Sequence, residues 1–282
     1  QERIRLIVAS GHDHLGGETD SDVLLDLVAS GAVSEARLDE SARRILKPMF
    51  QMGLFEDPYV DAERAGDIVG SPRAVAAGAR ATRRSFTLLK NDGVLPLKPE
   101  LKVYAEGVSP EAAAGLGVSV DTPEQADIAV IAVEAPYAVM GTPTFFVPIG
   151  PAAGEGGGGG KRRGGGPLRH EGTLAYEGAA NAEELVAIQR LVATGVPVVV
   201  VIQLDRPAVL SEFIESVAAV VAHYGADDAA IVDVLTGRAR PEGKLPFNLS
   251  RSMAAVLARR GDTAHDDPDP LFAFGYGLSY ES

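Results

Sequence analysis

Cysteine does not occur in the 282 residues. Its absence removes three chemistries at once: a disulfide framework, a thiolate nucleophile and a cysteine-based zinc site. Long apolar runs are missing too. No stretch approaches the ~18 residues that a membrane-crossing helix needs, so the chain reads as soluble, cytoplasmic or secreted, with no membrane partner. The amino end, QERIRLIVASG, has neither the length nor the cleavage pattern of a signal peptide. Beginning with Gln rather than Met, the chain is expected to be a processed or trimmed piece of something longer. Positive charge is in deficit, with 26 Lys and Arg against 39 Asp and Glu for a net −13. That balance repels phosphate backbones, so no general nucleic-acid partner is expected.

Hydrophobic residues are plentiful at 46%, enough for one large or two modest domains with ample core. The organising stretch is Val196 to Pro207, VPVVVVIQLDRP. It is too short for a buried helix, and its β-branched residues favour a strand. A strand that is apolar on both sides belongs in a parallel sheet covered by helices on both faces. The flanks predict those helices: Ala182 to Ala193 carries Leu185, Ile188, Leu191 and Val192 on one stripe, and Ala208 to Ser216 carries Val209, Leu210, Phe213 and Ile214. Sites in such sheets lie at the carboxyl ends of the strands, which here means Gln203, Asp205 and Arg206.

Upstream, Glu2 to Ala9 is short and apolar, and the loop GHDHLGGETD follows it. A helix is then capped by Asp20 or Ser21 and ended by Gly31. A second runs from about Asp39 with Ala42, Ile45, Leu46, Met49 and Phe50 on its face and a kink expected at Pro48. Phe55 to Arg73, rich in Pro, Gly and acids, reads as an interdomain connector. After it come a helix at 72–84 and candidate strands in SFTLLKN, LPL, LKVYA, ADIAVIAVEAP, AVVAHY and the segment Lys244 to Phe247. A helix at Asp227 to Leu235 separates the last two, and about six strands are expected in all.

Residues 150–169 break this alternation. Gly154 to Gly166 is dominated by glycine, and no folded element recovers so much backbone entropy, so a flexible loop is predicted. Gly160-Lys161 fails the phosphate-loop pattern twice, because Glu155 stands at its first glycine and Arg162 follows the lysine. Lys161, Arg162, Arg163 and Arg169 among glycines also fit RNA-binding segments. In a chain of this charge a solvated linker is the better reading, although a nucleic-acid-associated protein is carried as an alternative that retention on heparin would favour. His12-Asp13-His14 falls short of a metal ligand set. Neither a metal nor any other cofactor is expected. Asn248-Leu249-Ser250 is a glycosylation triplet. Phe272, Phe274, Tyr276 and Tyr280 are read as packing the chain end, with stacking on a sugar ring as the rival.

Five segments taken together resemble family 3 glycoside hydrolases, the β-glucosidase group: SEARLDESARRILKPMFQMGLFEDPYV, RSFTLLKNDGVLPL, LDRPAVL, LTGRARPEGKLPF and PLFAFGYGLSY. The resemblance implies a (β/α)8 barrel followed by a six-stranded, mostly parallel α/β sandwich, with a carbohydrate substrate held where the two meet. By it, residues 1–55 are the last segment of the barrel, 56–73 a linker and 74–282 the sandwich. It also implies a partner, the missing amino-terminal barrel portion, on the same or a separate chain.

The family's reaction uses two carboxyl groups, one ionised as nucleophile and one kept protonated as acid/base. The aspartate nucleophile belongs to a Ser-Asp-Trp-like motif that this sequence lacks. The acid/base of plant and bacterial relatives is a glutamate in a Pro-Tyr-x-Glu context, and the corresponding run EAPYAV puts Val139 at its place. Glu171, Glu134 and Glu177 are the remaining candidates. Glu171 in RHEGTLAYEG is favoured because it follows the variable segment. Asp13, His14 and Glu18 in the barrel-rim loop are candidates for touching substrate hydroxyls. A non-catalytic carbohydrate-binding relative is the other alternative.

Overall fold

Residues 1–15, 21–139, 169–170, 172–260 and 263–280 are described by the computed structural model, in two compact units, Gln1–Ser71 and Pro72–Ser282. The described part of the first unit is helical: α1 (Glu2–Ala9), α2 (Ser21–Ala29), α3 (Glu35–Gln51) and the short α4 (Ala65–Ile68). Ile4, Val8, Leu27 and Val33 form its small core. Ser34 caps α3 by accepting a hydrogen bond from the Arg37 amide, which starts the helix ahead of the expected Asp39. The helix continues through Pro48 to Gln51. Its apolar stripe is exposed rather than buried, with Phe50 60% exposed and stacked on Phe55 at 4.3 Å. Among the described residues no helix is long and apolar enough to cross a membrane.

The second unit opens with α5 (Pro72–Ser85) and continues through β1 (Thr87–Asn91), β2 (Lys102–Glu106), α6 (Pro110–Leu116), β3 (Val118–Ser119) and β4 (Ile128–Glu134). After the two-residue strands β5 (Ala138–Val139) and β6 (Arg169–His170) come α7 (Glu183–Ala193), β7 (Val198–Gln203), β8 (Ala219–His223), α8 (Asp228–Leu235) and α9 (Met253–Ala258). Six strands form one sheet in the order β1-β8-β7-β4-β2-β3. Every pairing in it is parallel except that of β1 with β8.

Alternation along the strands explains why the sheet needs two covers. Val198, Val200 and Ile202 enter one core with Ile188 and Leu191 of α7, while Val199 and Val201 enter the other with Leu116 of α6 and Ile231, Val234 and Leu235 of α8. Strands β4 and β8 divide in the same way, so all three are apolar on both faces. Strand β7 lies between two parallel neighbours, as its run of valines predicts.

Three local expectations are corrected. Ala208 to Ser216 is not a helix: Ala208, Val209 and Leu210 are buried in irregular backbone, and only Ile214–Ser216 forms a 3-10 turn. Its apolar spacing satisfies a helix, but the Val209 amide goes instead to the carbonyl of Leu174, 2.7 Å away. Neither Leu95-Pro96-Leu97 nor Lys244 to Phe247 is a strand, since a proline interrupts each and cannot donate to a ladder. Leu95, Leu97 and Leu245 are nonetheless buried, with the Leu97 amide bonded to Leu235 and that of Leu245 to Tyr276. The sixth strand is the unforeseen Val118–Ser119.

The parallel strands lie in the spatial order β3-β2-β4-β7-β8, so chain progression reverses between β2 and β4. The carboxyl ends there, Glu106 and Glu134, flank the crevice where doubly wound sheets hold ligands. Gly107 makes the close approach possible: its φ is +74°, and a Cβ there would lie 2.2 Å from the Ala132 carbonyl oxygen.

Candidate active site

At the end of β4 the backbone of Glu134 is held by side chains from residues 176–184. The Glu184 carboxylate accepts from the Glu134 amide at 2.7 Å, and the Tyr176 hydroxyl donates to the Glu134 carbonyl at 2.7 Å. Asn181, 1% exposed, accepts from the Tyr137 amide at 3.2 Å and donates to the carbonyls of Glu134 (3.4 Å) and Ala135 (3.3 Å). The amide thus meets three backbone groups at and just beyond the end of β4. Glu212 anchors the clamp in turn, accepting from the amides of Tyr176 (2.7 Å) and Glu177 (3.1 Å).

Downstream of the turn the chain is tied back on itself. Ala138 pairs with His170 and Val139 with Arg169 in an antiparallel ribbon. Gly172, with φ +52°, lies so close to Ala138 that a Cβ would come within 2.4 Å of the alanine methyl. Residues 139 and 169 therefore lie side by side, and the stretch between them, which holds the predicted Gly-rich loop, lies outside the described residues.

Two acidic groups of this edge, Glu184 and Tyr176, hold their protons more tightly than usual. Burial pushes the Glu184 carboxyl up to about 7, the hydrogen bond from the Glu134 amide opposes the shift, and the charge of Glu134 adds to it. Burial, joined by the charges of Glu184, Glu212 and Glu134, holds the Tyr176 phenol well above its ordinary value. Glu106, at the neighbouring strand end, accepts from the Tyr104 hydroxyl at 2.5 Å and pairs with Arg190.

Of the acid/base candidates, Glu134 is half-buried on β4 and Glu177 is exposed. The segment 176–184 joins their neighbourhoods, because Tyr176 reaches Glu134 while Glu212 holds Tyr176 and Glu177. Glu171 lies outside the described residues, one position before Gly172. Asp205 and Arg206, at the end of β7, pair with each other at 2.9 Å. The sequence reading missed Glu184, Asn181, Tyr176 and Glu212. Glu183-Glu184 looks like an ordinary acidic first turn of a helix, and only the fold reveals that the second carboxylate turns inward.

In the first unit Asp13 is occupied by protein partners. It accepts from Ser41 (2.8 Å), Arg37 (3.0 Å) and Arg44 (3.2 Å), and Arg37 also reaches the carbonyl of His12. The Ser41 hydroxyl, with Arg37 and Arg44, holds the Asp13 carboxyl below its usual range. Asp13 thus ties its loop to α3. His14 is exposed, and Glu18 lies outside the described residues. A groove of about 490 Å3 lined by Arg80, Arg83, Arg84 and Arg240 includes none of the edge residues, and Arg83 and Arg84 in it are paired with Asp233 and Glu242.

Residues 106–280, which contain Glu134, Tyr176, Asn181, Glu184 and Glu212, match the model of the glycosyl hydrolase family 3 C-terminal domain. The chain belongs to glycoside hydrolase family 3. Over 99% of its length it is 39% identical to the probable beta-glucosidase C of Aspergillus oryzae and 39% identical to the periplasmic beta-glucosidase/beta-xylosidase of Dickeya chrysanthemi. It spans 40% and 39% of those two proteins. Two solved glycosidases share the fold. The Listeria innocua beta-glucosidase in complex with isofagomine superposes with a TM-score of 0.58 at 22% identity, covering 91% of this chain and 41% of that one. The exo-1,3/1,4-beta-glucanase of a Pseudoalteromonas species gives 0.60 at 19% identity, covering 93% and 46%. The six-stranded, mostly parallel α/β architecture is that of the family 3 carboxyl-terminal domain.

Proposed function

We propose that this chain is the carboxyl-terminal part of a β-glycosidase that removes terminal non-reducing β-D-glucosyl or related residues by a retaining mechanism. In this reading the sheet edge at β4 supplies the acid/base, and the aspartate nucleophile belongs to the amino-terminal barrel portion, the partner this chain requires. The observation that carries the reading is the clamp around Glu134. Three side chains, Glu184, Tyr176 and Asn181, fix the backbone at the end of β4, and Glu212 holds the segment that carries Tyr176.

A retaining glycosidase needs its two carboxyl groups ~5–5.5 Å apart, one donating a proton to the departing oxygen and then activating water. Glu171, Glu134 and Glu177 are proposed for the donor, in that order, and Asp13, His14 and Glu18 for contacts to sugar hydroxyls. Glu171 comes first because the chain returns beside β4 just before it. Asp13 is the weakest of the three hydroxyl candidates, since Ser41, Arg37 and Arg44 already engage it.

The test uses the enzyme restored with its amino-terminal portion. Replacing the donor by alanine should cut turnover of glycosides with poor leaving groups by ~10²-fold or more and spare activated aryl glycosides, because only the former need the proton. Equal losses on both substrate types would reject the residue tested. The 282-residue chain alone should give no measurable hydrolysis of aryl β-glucosides, and robust turnover by homogeneous protein would overturn the assignment of the nucleophile. A second reading, a non-catalytic carbohydrate-binding relative, draws on Val139 at the family's glutamate position. Turnover by the restored enzyme would reject it.

A further inference from the structure

We infer that Glu184 is a positioning residue of this edge: from the first turn of α7 its carboxyl group holds the amide of Glu134, and that grip changes as the carboxyl gains or loses its proton. The inference rests on the proposed reading that the proton donor is supplied here.

The hydrogen bond alone does not explain a glutamate at this position. A glutamine would accept from the same amide through its carbonyl oxygen and would avoid the cost of burying an ion. Glu183, its neighbour in the same helical turn, is exposed and suffices for the favourable interaction of an acid with a helix amino end. Glu184 instead turns toward the end of β4.

The groups that act on it from the surrounding elements are Glu134 on β4, Glu183 on its own helix, and the Asn181 amide, which also hydrogen-bonds to it. Tyr176 from the preceding segment feels its charge together with that of Glu212. Three of these groups, Glu134, Glu183 and Glu212, are carboxylates. The charge of Glu134 makes the Glu184 proton harder to lose.

The amide of Glu134 reports directly on this contact. In the 282-residue chain its proton resonance should titrate with a midpoint near 7, following Glu184. In Glu184→Gln the amide should stay protected from exchange within about three-fold while the titration disappears. In Glu184→Ala the amides of Glu134, Ala135 and Tyr137 should exchange at least ~10-fold faster, with those of Val199 to Val201 unchanged. A Glu134 amide that does not titrate between pH 5 and 9, or that titrates equally in the glutamine variant, overturns the inference whether or not the alanine variant folds.

In the restored enzyme, Glu184→Gln should flatten the pH dependence of the rate on poor-leaving-group substrates around pH 7, with KM changed less than about two-fold. A profile identical to that of the wild type also overturns it. If Glu134→Gln, Glu171→Gln and Glu177→Gln all keep wild-type rates, it is the proposed function that fails, and the Glu134 titration still decides whether Glu184 holds that amide.

Discussion

The hydroxyl of Tyr176, on a residue with no exposed surface, meets the carbonyl of Glu134 at 2.7 Å across forty-two positions of sequence. Tyr176→Phe deletes that donor and nothing else, and Asn181 still reaches the same carbonyl. The expected loss is about 1 kcal/mol. Asn181→Ala removes the hydrogen bonds to the Tyr137 amide and to the Ala135 carbonyl as well, and should cost about 2–4 kcal/mol. Urea denaturation of the two variants should preserve that order; equal losses would show that Asn181 does not hold the turn.

Glycine positions separate two kinds of strain. Gly107 and Gly178 have similar positive φ values, +74° and +79°, but only Gly107 faces an obstacle, the Ala132 carbonyl. Gly178→Ala should cost about 1–2 kcal/mol from backbone conformation alone. Gly107→Ala carries that cost plus the displacement of a strand, so a loss at least about 2 kcal/mol larger is expected in thermal unfolding. Similar midpoints for the two variants would refute the close approach at the end of β2.

The valine strand allows a blunter test. Val199 has no exposed surface and faces the core shared with α6 and α8. Val199→Asp buries a carboxylate with no partner, a penalty on the scale of the whole stability of a domain. The variant should fail to accumulate as soluble protein. Soluble expression with an unchanged thermal midpoint would contradict the central position of β7.

Proton linkage at Glu184 runs opposite to the usual carboxylate case. Its folded value, about 7, lies above the ordinary 4.5, so between those limits the folded chain keeps a proton that the unfolded chain has released. Stability from this group therefore falls as pH rises from 4.5 to about 7 and then levels off. Denaturation midpoints taken from about pH 4.5 to 8 should show that decline in the wild type and a flatter profile in Glu184→Gln. Asp13 has the reverse sign: its lowered folded value gives stability that is present above the unfolded value and lost as pH falls through the folded one.

Much of the fold was legible because periodicity is local. Val198 to Ile202 names its own strand, and Ile188 and Leu191 name the helix that covers one face. The failures share a cause. Val209, Leu210, Phe213 and Ile214 are spaced like a helix, Leu95 and Leu97 like a strand, yet each segment hydrogen-bonds to a distant backbone group that its own sequence does not show. The candidate site was less legible still. Glu134 was found through its place at the end of an apolar run. Glu184, fifty positions away, carries no mark in the sequence of the burial that shifts its proton affinity. The buried Asn248 is the converse case: its side chain accepts from the Phe274 amide at 2.6 Å, so the glycosylation triplet is inaccessible in the folded chain.

The two margins of the sheet bear on how this molecule avoids sticking to its copies. At one margin stands β3, only two residues long. At the other, the tail lies along β1, with the Leu278 amide donating to Leu88 at 2.8 Å and the Tyr276 hydroxyl to Leu89 at 3.2 Å. Unpaired strand margins recruit other chains into shared sheets, and short margins or a covering segment suppress that recruitment. The carboxyl-terminal residues thus act as a guard against fibrous association. Shortening the chain before Leu245 would open β1 to strand exchange between molecules, even with the valine core intact.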